Sequence, residues 1–209
     1  MIWNLPNTLT VARIAITPVV AFLPFIEGYW PKLACFLIFV IAAVTDVIDG
    51  RIARRDNLIT DIGKTLDPLA DKLLLLATLG PIWWITTQRQ TMYDIPIWGS
   101  IPLWACVLLI GREAAMTALR YFASRKGVII AAGHDGKVKA SLQNVFIGGT
   151  LAWFAFRDAL VPLGWQGTTF ATWWNQFHGG FVAATLGIAV TLTIYSFVTY
   201  LIQYRRLFR

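Results

Sequence analysis

Six long apolar runs, separated by short charged or Gly- and Pro-containing segments, leave this chain few folds to choose from. They cover residues 8–25, 33–53, 68–87, 101–123, 138–156 and 180–203. About 20 apolar residues span the hydrocarbon of a bilayer as a helix. An open sheet edge cannot sit in lipid, and these runs are too long to be alternating barrel strands. The predicted fold is therefore an all-α polytopic membrane protein with six transmembrane helices, built as one domain over residues 1–209. Composition agrees: 57% of the residues are hydrophobic and 14% are charged, against about 25% charged in an ordinary soluble domain. A soluble enzyme is excluded. Cys35 and Cys106 both fall inside apolar runs, which argues for buried inert thiols rather than a disulfide. The first run lacks a basic leader and a small-residue cleavage site, so it reads as a retained span and not as a signal peptide.

Orientation follows from where Lys and Arg fall. Arg51, Arg54, Arg55 and Lys64 lie between the second and third runs, and Arg125, Lys126, Lys137 and Lys139 between the fourth and fifth. Arg205, Arg206 and Arg209 end the chain, whereas the opposite side has only Lys32, Arg89 and Arg157. Both termini are expected on the cytoplasmic side of a bacterial inner membrane. Trp83, Trp84, Trp98, Trp165, Trp173 and Trp174 fall near the other ends of the runs, as an interfacial aromatic belt does. Residues 158–179 read as an outer interfacial loop.

The stretch TDVIDGRIARRDNLITDIGKTLDPLADK carries six aspartates between two apolar runs. Asp46 and Asp49 are three residues apart at the end of one predicted helix, and Asp67 and Asp71 four apart at the start of the next. Each pair therefore shares a helix face. Antiparallel packing of the two helices brings the pairs together, where four carboxylates repel one another unless cations intervene. With no Cys or His nearby, this oxygen-only set suits Mg²⁺ or Mn²⁺ rather than zinc. The stretch also reads as a solvated loop in which Arg51, Arg54, Arg55 and Lys64 pair with the acids. That suits Asp56 and Asp61, but not the four acids abutting the membrane, where ionisable groups are costly and usually functional.

As a pattern, the stretch is D46-x-x-D49-G50-x-x-A53-R54, eight residues, G63-x-x-x-D67-x-x-x-D71, with eight fixed identities over 26 residues. It resembles the signature of the CDP-alcohol phosphatidyltransferase family, which also resembles this chain in having six spans. The resemblance implies that Asp46, Asp49 and Asp67 hold divalent metal against the pyrophosphate of a CDP-linked lipid, with Asp71 completing the set as general base on the acceptor hydroxyl. It further implies that Asp46, Asp49, Gly50, Ala53, Arg54, Gly63 and Asp67 bind the CDP-lipid, Gly50 and Ala53 leaving room for the nucleotide and Arg54 pairing with phosphate. Gly50 and Ala53 also read simply as helix-packing residues. Asn7, Thr10 and Arg13 are placed near the nucleotide, although Asn7 reads equally as a helix N-cap.

GREAAMTALR puts Arg112 and Arg120 eight residues apart, about two helical turns, so they face the same way. Together with Lys137 and Lys139 of GHDGKVKA they suit an acceptor that is itself a phosphate. Arg112 also reads as neutralised locally by Glu113. NLPNTLTVARIAITP, GREAAMTALR and GVIIAAGHDGKVKA resemble the branch of the family whose acceptor is glycerol 3-phosphate, with Gly133 and Ala140 departing from its usual hydroxyl-bearing residues. The expected partners are thus CDP-diacylglycerol, glycerol 3-phosphate, membrane lipids and a second copy in a homodimer, with no nucleic acid. The alternatives are the same chemistry on inositol phosphate, serine or phosphatidylglycerol, and a divalent-cation transporter. A transporter would place its acids near the midplane, whereas these gather at one edge.

Overall fold

The computed structural model describes residues 4–56, 60–89, 93–126 and 134–204, with the side chains of Arg54, Asp61, Lys64 and residues 134–138 left outside the description. Six helices follow in order: α1 (Leu5–Phe22), α2 (Tyr29–Arg55), α3 (Asp61–Gln88), α4 (Leu103–Arg125), α5 (His134–Ala159) and α6 (Thr169–Gln203). A 3₁₀ turn at Leu23–Phe25 closes α1. No strand forms among the described residues; Ile95 and Gly99 make a single antiparallel bridge. Among the described residues, four segments are long and apolar enough to cross a membrane, Leu5–Phe25, Tyr29–Ala53, Thr65–Gln88 and Thr169–Gln203. Large apolar side chains stay uncovered around the bundle, Phe22, Trp30, Ile41, Val107, Phe122 and Tyr195 among them, as befits a multi-pass membrane protein. The α4 and α5 helices have the length to cross as well, but Arg112, Glu113 and Arg120 on one and Lys139, Gln143 and Asn144 on the other dilute their apolar content.

Local chemistry sets the helix starts. The Asn4 side chain accepts from Asn7 N at 3.0 Å and Pro6 stands in the first turn of α1; Asn4 and not Asn7 is therefore the N-cap. Thr60 caps α3 by accepting from Gly63 N at 3.0 Å, and Thr168 caps α6 by accepting from Ala171 N at 3.2 Å. This last cap starts α6 at Thr169, so the loop expected over 158–179 is corrected: its second half is helix. The physical reason is a ladder of aromatic rings one turn apart, with Phe170 on Trp174 and Trp173 on Phe177, which stabilises a helix that Gly179 and Gly180 would otherwise weaken. Within the spans, Thr78, Thr86, Thr150 and Thr185 bond back to carbonyls one turn earlier, which satisfies their hydroxyls in apolar surroundings.

The helices close a ring in the order α1–α2–α5–α6–α4–α3, each packed on the next and α3 returning to α1. The main apolar core fills one half of it, with Leu79, Ile82, Leu109, Phe146, Phe154 and Leu186 fully buried. At that end Tyr93 and Trp153 pack edge-on, and Lys32 forms a buried ion pair with Asp158, joining the start of α2 to the end of α5. All six expected belt tryptophans lie toward this end, as does the exposed Trp30. Cys35 and Cys106 are free and buried. The opposite end is polar and holds a cavity.

Candidate active site

The acids stand where α2 ends and α3 begins, and α1 crosses both. Arg13, eight residues into α1, points its guanidinium into the carboxylates: Nη1 donates to Asp46 Oδ1 at 2.5 Å and Nη2 to Asp49 Oδ2 at 2.8 Å. Asp71 Oδ1 lies 3.6 Å from Nη1. One turn earlier Thr10 Oγ1 donates to Asp67 Oδ1 at 2.7 Å, and another turn earlier Asn7 Nδ2 donates to Thr60 Oγ1 at 2.8 Å. Asn7, Thr10 and Arg13, expected beside a nucleotide, thus form a stripe on α1 that grips the acids and the cap of α3. The sequence carries a signal for this: their three-residue spacing, and an arginine alone in the first apolar run facing acids that require a cation.

A cavity of about 410 Å³ opens beside the cluster, lined by Arg13, Asp46, Asp67, Asp71 and Lys72 on one side and by Arg112, Glu113, Arg120, Lys139, Gln143 and Asn144 on the other. Thr78, Leu74, Leu75 and Phe39 form its apolar floor toward the core. Asp46 and Asp71 show 42% and 59% of their side chains to it, whereas Asp49 is only 9% exposed behind Arg13. Gly50 and Ala53 continue the Asp46 face of α2 toward its end, beyond the cavity lining. Gly63 serves a close approach of helices: a Cβ there would stand 2.8 Å from Asn7 Oδ1. Arg54 and Lys137 are helical in backbone, but their side chains lie outside the described residues.

The oxygen-only donors and their surplus negative charge fit a divalent cation in kind. As placed, no three His, Cys, Asp or Glu side chains among the described residues are disposed to hold one ion; the Arg13 guanidinium stands amid Asp46, Asp49 and Asp71 and answers their charge. Across the cavity, Arg112 Nη1 donates to Glu113 Oε1 at 2.8 Å, and Lys139 Nζ donates to the same oxygen. The local neutralisation of Arg112 that the sequence leaves open is the arrangement found. Arg120 is exposed on the same wall. Lys72, Gln143 and Asn144 were not anticipated; each sits next to or one turn from an anticipated residue, but a single polar residue in a helix carries no spacing of its own.

Comparison with known proteins accords with this arrangement. The model of the CDP-alcohol phosphatidyltransferase family matches residues 3–195. A Bacillus subtilis (strain 168) protein is 35% identical over 161 residues, covering 71% of this chain and 77% of its own length. An Escherichia coli (strain K12) protein is 31% identical over 209 residues, covering 96% of this chain and 94% of its own. One from Rickettsia bellii (strain RML369-C) is 37% identical over 140 residues, covering 67% and 70%. All three carry the name CDP-diacylglycerol--glycerol-3-phosphate 3-phosphatidyltransferase. With a family match over most of its length and an acid cluster facing a basic wall across one cavity, the chain belongs to the CDP-alcohol phosphatidyltransferase family and is an enzyme that transfers phosphatidyl groups.

Proposed function

We propose that this enzyme transfers the phosphatidyl group of CDP-diacylglycerol to glycerol 3-phosphate, giving phosphatidylglycerophosphate and CMP. The observation that carries the reading is the pairing within one cavity of Asp46, Asp67 and Asp71 with Arg112, Arg120 and Lys139. The acids suit the pyrophosphate end of the donor, and the basic wall suits an acceptor bearing its own phosphate. The names of the relatives support the same acceptor.

Asp46, Asp49, Asp67 and Asp71 are the residues that would hold Mg²⁺ or Mn²⁺. Bound there, a divalent ion supplies Lewis-acid polarisation of the phosphoryl oxygens. The remaining work falls to the chain. Thr10 fixes the Asp67 carboxylate, and Arg13 fixes Asp46 and Asp49. Asp71, the most exposed of the ion-paired acids in the cavity, takes the proton from the acceptor hydroxyl as its oxygen attacks the phosphatidyl phosphorus. The bond from that phosphorus to the bridging oxygen breaks, and CMP leaves. Gly50, Ala53 and Arg54 extend the donor side along α2, and Lys137 joins the acceptor side.

This reading includes six spans in a single domain, both termini and the cavity on the cytoplasmic side of a bacterial inner membrane, and a homodimer. The Lys and Arg distribution supports the orientation. A site at the membrane edge also suits a donor whose acyl tails stay in the bilayer while its head meets a water-soluble acceptor.

The test is turnover of CDP-diacylglycerol by purified enzyme in detergent with Mg²⁺, with glycerol 3-phosphate, inositol phosphate and serine offered separately, following CMP and the lipid product. Turnover with glycerol 3-phosphate alone is expected. Asp71→Asn should lower it by about 10²–10⁴-fold, the usual worth of a general base. Turnover only with another alcohol would overturn the acceptor.

A further inference from the structure

The basic wall is not a row of free cations. Glu113 Oε1 accepts from both Arg112 and Lys139, and Arg112 Nη2 donates to Ser196 Oγ of α6 at 3.0 Å. The depths of these groups differ. The Arg112 and Lys139 side chains are 9% and 2% exposed, while that of Glu113 is 32% exposed on the cavity wall. The cations lie behind and the carboxylate in front. Arg112 Nε is also buried and has no hydrogen-bond partner among the described residues. An ammonium as deep as Lys139 requires an anion beside it. In the present arrangement that anion is Glu113.

We propose that Glu113 is a built-in stand-in for the phosphate of the acceptor: it is the counter-charge that Arg112 and Lys139 share in the resting enzyme, and it yields them when the phosphate enters. The proposal rests on the reading that the acceptor is phosphorylated. A phosphate monoester carries nearly two negative charges and three acceptor oxygens, against one charge and two oxygens for a carboxylate, so it can replace Glu113 on both cations. A neutral alcohol or a zwitterionic amino acid cannot, and leaves the carboxylate in place. Glu113 therefore competes with an acceptor's phosphate, and only an acceptor bearing one gains the two cations. Arg120, exposed on the same wall, is the cation an entering phosphate meets first.

Glu113→Gln keeps the shape and removes the charge. Inorganic phosphate, as a competitor of glycerol 3-phosphate, should then inhibit about tenfold more tightly, equivalent to 1.4 kcal/mol, and KM for glycerol 3-phosphate should fall in step while kcat does not rise. Phosphate should also raise the melting temperature of the variant more than that of the parent enzyme, because the ligand now supplies the missing charge. An inhibition constant and KM that stay the same or increase would show that Glu113 merely holds its neighbours in position, and would overturn the proposal. Glu113→Asp, too short to reach both cations, gives a second reading of the same constants should the glutamine variant not fold. If the parent enzyme turns over only a non-phosphorylated acceptor, the functional reading itself falls; turnover of glycerol 3-phosphate with unmoved constants removes the stand-in alone.

Discussion

Arg13 is the residue on which the acid cluster turns. It is 3% exposed, and it touches carboxylates from two other helices at once. Breaking a buried ion pair by removing one partner costs about 3–5 kcal/mol, because the other charge is left uncompensated. Arg13→Gln should therefore melt markedly earlier than the parent enzyme in a chelator, since Asp49 would be buried without its cation. If the acids also hold Mg²⁺, adding it should close much of that gap, as a ligand of the native state does. A gap of the same size with and without Mg²⁺ would mean that Arg13 is structural only. Arg13→Lys keeps a charge but not the fork that meets Asp46 and Asp49 separately, and should fall between the two.

Among the elements, α1 shows most clearly what a sequence discloses and what it withholds. The apolar runs and the Asp46, Asp49, Asp67, Asp71 spacing are local patterns, and α1, α2, α4 and α5 start within about four residues of the expected positions, the accuracy such patterns allow, while α3 and α6 start earlier. The stripe of Asn7, Thr10 and Arg13 was visible as residues but not as a contact, because its partners lie 33 to 57 residues away. The early start of α6 was hidden for a different reason: residues 158–179 read as an outer loop, whereas α6 already runs through Gly179, where a loop carbonyl, that of Asp94, lies too close for a side chain. These two glycine contacts separate function from stability. Gly63→Ala would push Asn7 and α1 away from α3, and so should lower both the melting temperature and kcat. Gly179→Ala meets backbone at the opposite end of the bundle; it should cost about 1–3 kcal/mol of stability, the usual price of overpacking, and leave KM for either substrate unchanged. Melting curves and steady-state kinetics of the two variants check the contrast.

Over the whole molecule, the ring of helices gathers charge at one end and aromatic side chains at the other. Among the described residues, the deepest cations of the polar end have a counter-charge on another helix: Arg13 with Asp46 and Asp49, Lys139 with Glu113. The chain, however, is made from its N-terminus. Without α2 beside it, α1 would carry Arg13 into the membrane with neither Asp46 nor Asp49 to pair with, and an arginine mid-helix costs about 2.5–3.5 kcal/mol to insert by translocon scales. A nascent chain ending at residue 28 should hence insert α1 less completely than one ending at residue 56, and Asp46→Asn with Asp49→Asn should remove the gain, as read by glycosylation of a reporter placed beyond the helix. That outcome would make α1 and α2 one unit of insertion, carrying half of the acid cluster.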